Sequence, residues 1–463
     1  METRQAPRIM ARLLCLCLVT AVLFAPQTGN ALSLEEEEKL GKEFVADLKN
    51  FFTFVEDEFA LDYINELGDY LAGPVDAKPF PFRYYLIKKN DLNAFAGPGG
   101  HIFFFTGLIE SMETVDELAA VASHEMAHIS ARHLSKRIEQ NKKLGLATMA
   151  GMLIGALIGG EAASAIMIGT AAAGAQAQLS FSRADERQAD QLGFSYMRKS
   201  GFDPSAMIQV LNSMQRAEIY GTDRVPAYLR THPTGPERMT NIDSLVADGG
   251  EPVGSETEKR LREQYPVFRT LLAARYGDPS SARRRFQNAL EANPSDALAH
   301  FGLGLLDKEA SEFGSAVEHL RRALEIRPDL IPVRTHLGKA YHYSGRYENA
   351  IPVLEGVLRK DPENRTALFM MASSHQNLNE YARAARIYER LLTMEPARNE
   401  VSYNLGICYG RMDRLALAHY HFGIYFMKSG APSKARFHFQ KAEELGPHDT
   451  FLLNRINKAR EDL

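Results

Sequence analysis

Cysteine is scarce in this 463-residue chain: there are 3, and Cys15 and Cys17 lie inside the first uncharged run. No small residues of a lipid-attachment box precede them, so lipidation is not expected. Only Cys408 remains beyond that run, which leaves no partner for an intramolecular disulfide. Stability must then come from packing and from metal. A basic surplus is also missing. Lysine and arginine number 54 against 58 aspartates and glutamates, a formal net charge of -4. That balance supplies no field for nucleic acid, no nucleic-acid module is recognisable, and protein or peptide partners are expected instead. The N-terminal segment lacks the length of a membrane span. Arg4, Arg8 and Arg12 precede an apolar run from Leu13 to Ala25, followed by Pro26 and the small-residue site Gly29-Asn30-Ala31. About 13 apolar residues fall short of the roughly 20 that a span needs, so residues 1–31 read as a secretory signal peptide cleaved after Ala31.

From Leu34 to Val246 helical and strand-like patterns alternate, until a Gly/Pro/polar stretch from Ala247 to Ser255 interrupts them. The sequence therefore divides into a mixed helix-and-strand domain at 32–246, a linker at 247–258 and a helical domain at 259–463. In the last of these, Pro294, Pro328, Pro362 and Pro396 fall 34 residues apart. Gly304, Gly338, Ala372 and Gly406 keep the same period, and so do Ala316, Ala350, Ala384 and Ala418. Small residues in two columns let paired helices approach closely, and proline in the third stops a helix before the next unit. Ala282, Phe286 and Ala289 make half a unit before Pro294, while Gly423, Ala435 and Pro447 continue the columns after a register shift. This pattern resembles the tetratricopeptide repeat, whose stacked units present a concave surface to extended segments or helices of other proteins.

His124-Glu125-Met126-Ala127-His128 follows the helix-compatible stretch Leu118 to Ala122, opened by Asp116 and Glu117. Residues i and i+4 share a helix face, so both imidazoles can converge on one tetrahedral metal ion, with Glu125 beside it. Such an ion brings the pKa of water toward about 7, and an adjacent carboxylate takes the proton as the water attacks a peptide carbonyl. A third ligand is required. The three-histidine spacing would place it at Leu134, so His133 is expected on the surface or in a hydrogen bond. Glu186, within Ser182 to Asp190, fits better: a second helix carrying Glu at i and Asp at i+4 supplies both a ligand and, in Asp190, a carboxylate that orients a ligand histidine.

Together with Asn93-Ala94-Phe95-Ala96-Gly97-Pro98-Gly99-Gly100-His101-Ile102 upstream, and Thr231-His232-Pro233 with Arg238 downstream, these motifs resemble the M48 family of zinc metallopeptidases over residues 93 to 238. The resemblance implies an α+β, mostly α, zincin-like domain with a small β-hairpin or sheet, followed by an all-α tetratricopeptide superhelix. It implies one Zn2+ per chain on His124, His128 and Glu186, a catalytic Glu125, a supporting Asp190, and His232 close to the metal. Two opposite roles stay open for His232: a donor to the developing oxyanion, or a fourth ligand that blocks the site. Residues Leu92 to Phe105 read as strand, turn, strand. An exposed edge at Asn93, Ala94, Phe95 and Ala96 is the expected place for an extended substrate to pair.

A signal peptide, an M48-like domain and tetratricopeptide repeats in one chain are similar to the bacterial periplasmic proteases that maintain outer-membrane assembly. That likeness implies a periplasmic location and unfolded or misassembled outer-membrane proteins as substrates. It also implies repeats that dock on substrate or on the beta-barrel assembly machinery, and chaperone-like action without cleavage. The rival reading is a repeat-based scaffold whose zinc site is structural or held closed. Between the motifs, Leu144 to Phe181 holds a single charged residue, Glu161, and is dense in Gly and Ala. One crossing of a bilayer there would separate His128 from Glu186, so the expectation is a pair of buried or interfacial helices around Gly159-Gly160, with peripheral membrane contact open to them.

Overall fold

A computed structural model describes residues 32–140, 181–220, 226–233, 235–248, 254–394 and 398–461. The signal-peptide reading, the apolar stretch except Phe181, and Pro396 of the repeat column fall outside the described residues. Among the described residues no helix is long and apolar enough to cross a membrane.

Helix α1 (Leu34–Phe51) opens on a capping box in which Ser33 and Glu36 satisfy each other's backbone N–H. Helix α2 (Glu58–Ala72) follows, and then a three-stranded sheet forms from β1 (Arg83–Ile87), β2 (Ala94–Ala96) and β3 (His101–Phe105) in the order β1-β3-β2. β1 runs parallel to β3 and β2 antiparallel to it. Alternation sends Phe103 and Phe105 of the central strand toward Leu40, Phe44 and Leu48 of α1, while Ile102 and Phe104 join the larger core around α2. Covered on both faces, β3 needs no polar residue, which accounts for the unbroken Ile-Phe-Phe-Phe run. The turn from β2 to β3 depends on Gly99 (φ 71) and Gly100 (φ 86). A Cβ on Gly100 would stand 2.5 Å from the Pro81 carbonyl oxygen.

After the short α3 (Thr106–Ser111) comes α4 (Val115–Ser130), capped by Thr114 and carrying the His124/His128 pair. α5 (His133–Gln140) extends from its end, and α6 (Arg183–Lys199), begun by a Ser182/Asp185 capping box, lies against α4. α7 (Ala206–Tyr220), α8 (Ala227–Thr231) and α9 (Pro236–Asp248) complete this half. Beyond it, α10 (Glu256–Tyr276) leads into paired helices running to Arg460. The small-residue columns sit where the pairs touch. A Cβ on Gly304 would meet Leu320 at 2.7 Å, on Gly338 Leu354 at 2.4 Å, and on Gly406 Phe422 at 2.6 Å, while Ala316, Ala350 and Ala384 are fully buried.

The stretch expected as a linker separates two helices that share one core. Tyr63 of α2 stacks on Phe268 of α10 at 4.4 Å and donates to the Leu261 carbonyl at 2.9 Å, and Arg262 pairs with Asp116 at the start of α4. Farther along, Glu58 accepts the first backbone N–H groups of the helix Arg365–Asn377, from Arg365 at 2.9 Å and Thr366 at 2.7 Å. Asp57 is buried against Arg275 and His336. Burial opposes the Asp57 charge, but the hydrogen bond with His336 and the Arg275 guanidinium outweigh it and hold the carboxyl well below the usual range. Burial also pushes His336 down to about 3.

Both shifts have one sign in stability. His336 is neutral when folded and takes a proton on unfolding once the pH falls below about 6.5; Asp57 contributes stability that is full above about pH 4 and is lost as the pH falls toward its depressed value. Thermal unfolding from pH 7 to 4 is expected to show a steadily falling midpoint, and His336→Gln to flatten the upper part of that fall. A wild-type midpoint independent of pH over this range contradicts it.

Candidate metal centre

α4 is buried nearly all round, and its one-turn spacing puts His124 and His128 on the face that α6 covers. The two helices meet closely because residue 193 is glycine: a Cβ there would lie 3.3 Å from the His124 backbone nitrogen. From α6, Glu186 enters the same point, and from the end of α8 His232 closes it. His124, His128, Glu186 and His232 are all buried and offer ligand atoms that lie within 4.8 Å of one another.

The individual spacings test whether an ion fits. His124 Nε2 stands 3.0 Å from His128 Nε2 and 3.3 Å from His232 Nδ1. Glu186 Oε1 is 3.0 Å from His232 Nδ1 and 3.5 Å from His128 Nε2, and its Oε2 is 3.4 Å from His124 Nε2. Ligands of a tetrahedral ion with bonds of about 2.0–2.1 Å stand about 3.3–3.4 Å apart. These separations, 3.0–3.5 Å, bracket that value, so the four groups converge on one point as ligands of a small divalent cation do. His124 Nε2 thus faces an imidazole nitrogen of His128 and one of His232, and lone pairs turned toward one another in this way are satisfied together by a central cation.

The outward nitrogens are held as well. His124 Nδ1 faces Asp190 Oδ1 at 3.1 Å. His128 Nδ1 is 3.0 Å from His133 Nδ1, and His133 Nε2 is 3.0 Å from Gln188 Oε1. One proton arrangement serves this chain: His128 Nδ1–H donates to His133, which donates from Nε2 to Gln188, leaving His128 Nε2 as a lone pair toward the cluster. His133 is thus a buried hydrogen-bonding partner and not a ligand. Arg238 grips Asp190 with two bonds of 2.8 and 2.7 Å and ion-pairs with Glu186 Oε2 at 2.6 Å, so the pair of acids on α6 is fixed from behind. Aromatic rings shape the remaining walls, with Phe181 4.0 Å from the His128 ring and Tyr228 stacked 4.4 Å over His232.

Electrostatically the cluster favours positive charge. Burial works against an imidazolium at His124, yet the hydrogen bonds to Asp190 and Glu186 win and raise it to about 9. Burial likewise opposes the Glu186 charge, and His232 and His124 outweigh it and hold the carboxyl well below the usual range. His128 is pushed the other way by burial and by its two histidine neighbours. A cation entering the site therefore displaces a proton from His124. Glu125, between the two ligand histidines, is fully buried, and neither of its oxygens has a hydrogen-bond partner among the described residues. Its Oε1 lies 3.5 Å from His232 Nε2. A buried carboxylate without a donor is costly, and one placed beside a cation site is suited to holding a reactant's proton.

The expected substrate segment sits next door. β2 is an edge strand that packs against α4, with Asn93, Ala94 and Phe95 buried and Ala96 partly buried. Tyr228 N–H donates to the Leu92 carbonyl at 3.2 Å and so ties this edge to the short helix that ends at His232. Sequence reasoning assigned no role to Tyr228, Phe181 or Gln188, and noted Arg238 without its contacts. A lone aromatic or a lone amide carries no spacing that would have marked it.

Residues 61–246 match the family described as Peptidase family M48, and residues 271–331 and 341–402 match the tetratricopeptide repeat. The chain is 24% identical over 422 residues to the Beta-barrel assembly-enhancing protease of Escherichia coli (strain K12), across 81% of this chain and 86% of that protein. It is 26% identical over 395 residues to the protein of that name in Yersinia pestis, across 77% and 81%. The Mitochondrial metalloendopeptidase OMA1 of Schizosaccharomyces pombe (strain 972 / ATCC 24843) is 28% identical over 201 residues, across 43% of this chain and 56% of that one.

Proposed function

Starting from a chain that carries a peptidase family M48 domain followed by tetratricopeptide repeats, and that is a metalloendopeptidase, we propose that it holds one zinc ion on His124, His128 and Glu186 and cleaves unfolded or misassembled outer-membrane proteins in the periplasm. The observation that carries this reading is the buried, convergent set of imidazole and carboxylate groups with Glu125 beside it, which has no hydrogen-bond partner among the described residues. The nitrogen-rich donor set suits zinc. Zinc, when bound, supplies Lewis acidity that acidifies water and polarises the scissile carbonyl.

The chain's own residues do the rest. Glu125 takes the proton of the attacking water and passes it to the departing amine. Asp190, held by Arg238, keeps the His124 ring turned so that Nε2 faces the centre, and His133 does the same for His128. Backbone groups along β2, from Asn93 to Ala96, pair with an extended substrate, which makes recognition weakly dependent on side chains and suits unpaired strands. His232 at the fourth corner keeps the resting site closed, so that water enters when its segment withdraws. Removal of residues 1–31 during export gives the periplasmic form, with 32–246 as catalytic domain and the helices from 259 binding substrate or the assembly machinery, an attribution suggested by the names of the relatives. The test is degradation of a urea-unfolded outer-membrane barrel protein against its folded form. Cleavage of the unfolded form alone, abolished by a chelator and restored by one equivalent of zinc, is expected; cleavage that survives chelation overturns the reading.

A further inference from the structure

The first described residue is bound at both its backbone ends. Leu32 N–H faces Glu139 Oε1 at 2.8 Å, and Arg132 Nη2 donates to the Leu32 carbonyl at 2.8 Å. The same guanidinium nitrogen is 2.9 Å from Glu37, which also accepts from Ser135. The Leu32 side chain is 7% exposed and packs in the core that contains Leu40, Phe44, Leu134 and Ile138. Arg132 itself takes a left-handed backbone conformation, φ 54, at the turn from α4 to α5, a strained state for arginine that surrounding contacts have to hold. The two side chains that hydrogen-bond Leu32 thus belong to that turn and to α5, whose first residue, His133, supports the ligand His128.

We propose that Glu139 and Arg132 form a binding site for the chain's own new N-terminus, the α-ammonium of Leu32, and that its capture locks α5 behind the metal-bearing helix. The proposal rests on the reading that residues 1–31 are a leader removed after Ala31. Hydrolysis of that bond by a leader-removing peptidase consumes one water, leaving a carboxylate on Ala31 and an amine on Leu32 that is protonated at neutral pH. The single amide N–H facing Glu139 becomes an ammonium with three, so that a hydrogen bond to an anion becomes a contact between two opposite charges. Glu37 balances the nearby Arg132, and the carboxylate of Glu139 already faces the atom that carries the new charge. Export and removal of the leader would then finish the folding of the segment behind the active site.

The experiment compares the chain released to begin at Leu32 with the same chain carrying one extra glycine before Leu32, each as wild type and as Glu139→Gln, by hydrogen exchange of residues 133–140 and by thermal midpoint. About ten-fold faster exchange in the glycine-extended wild type is expected, in line with the loss of an ammonium facing the carboxylate, together with a lower midpoint and no difference between the two Glu139→Gln chains. Equal exchange in the two wild-type chains overturns the proposal, and so does a difference that persists in Glu139→Gln. A secreted chain that begins at a residue other than Leu32 also overturns it, and leaves the metal and cleavage readings untouched, because those are read by zinc content and hydrolysis.

Discussion

Glu125→Gln is expected to lower peptide hydrolysis by about 10²–10⁴-fold, the usual worth of a positioned general acid–base group, while the bound metal stays in place. Glutamine has the shape of glutamate and fills the same fully buried position between His124 and His128, so packing is kept. It cannot take a proton from water. The metal should remain because Glu125 is outside the set of four groups that share the corners. Folding stability should not fall, since the substitution removes a buried charge that lacks a hydrogen-bond donor among the described residues. The check is turnover of an unfolded substrate, with zinc content and thermal midpoint measured on the same samples. A variant that keeps more than about a tenth of the rate would remove Glu125 from the acid–base role assigned by that range.

His232→Ala is expected to raise hydrolysis by about ten-fold or more, the gain when a competent state populated at a tenth or less becomes the major one. The reason is geometric. His232 Nδ1 faces the same point as the other three groups, 3.3 Å from His124 Nε2 and 3.0 Å from Glu186 Oε1, and under the proposed zinc site it would be a fourth protein ligand, which closes such a site to water. Removing that ligand should also weaken zinc binding, so rate and affinity move in opposite directions. The competing role predicts the reverse: an oxyanion donor lost to alanine lowers turnover by about 10²–10³-fold. Turnover at saturating zinc, compared with zinc affinity from a competing chelator, separates the two. A fall in both quantities would reject the closed resting site and leave His232 as a donor.

The convergence of His124 and His128 was legible because helix geometry is short-range: two histidines four residues apart on an apolar helix have one place to point. Glu186 and Asp190 were legible for the same reason, as an i, i+4 pair on a second helix. The repeat was legible because each unit solves the same packing problem, so Gly304, Gly338 and Gly406 recur where a side chain of the next helix arrives. The buried support was not. Arg238 reaches Asp190 across 48 residues of chain and His133 completes a relay to Gln188 across 55, and no spacing rule connects them.

By itself, then, the sequence determined the period of the repeats and the residue types that converge at the candidate metal centre, since each follows from residue type and local spacing. The tertiary structure decided what depends on approach between distant segments. It brought His232 Nδ1 into the cluster, left Glu125 without a hydrogen-bond donor among the described residues, and joined α10 to the catalytic core through Tyr63, Phe268 and Arg262. Whether a histidine before a proline faces solvent or a metal is set by which helices carry it there, and that is fixed only when the whole core closes.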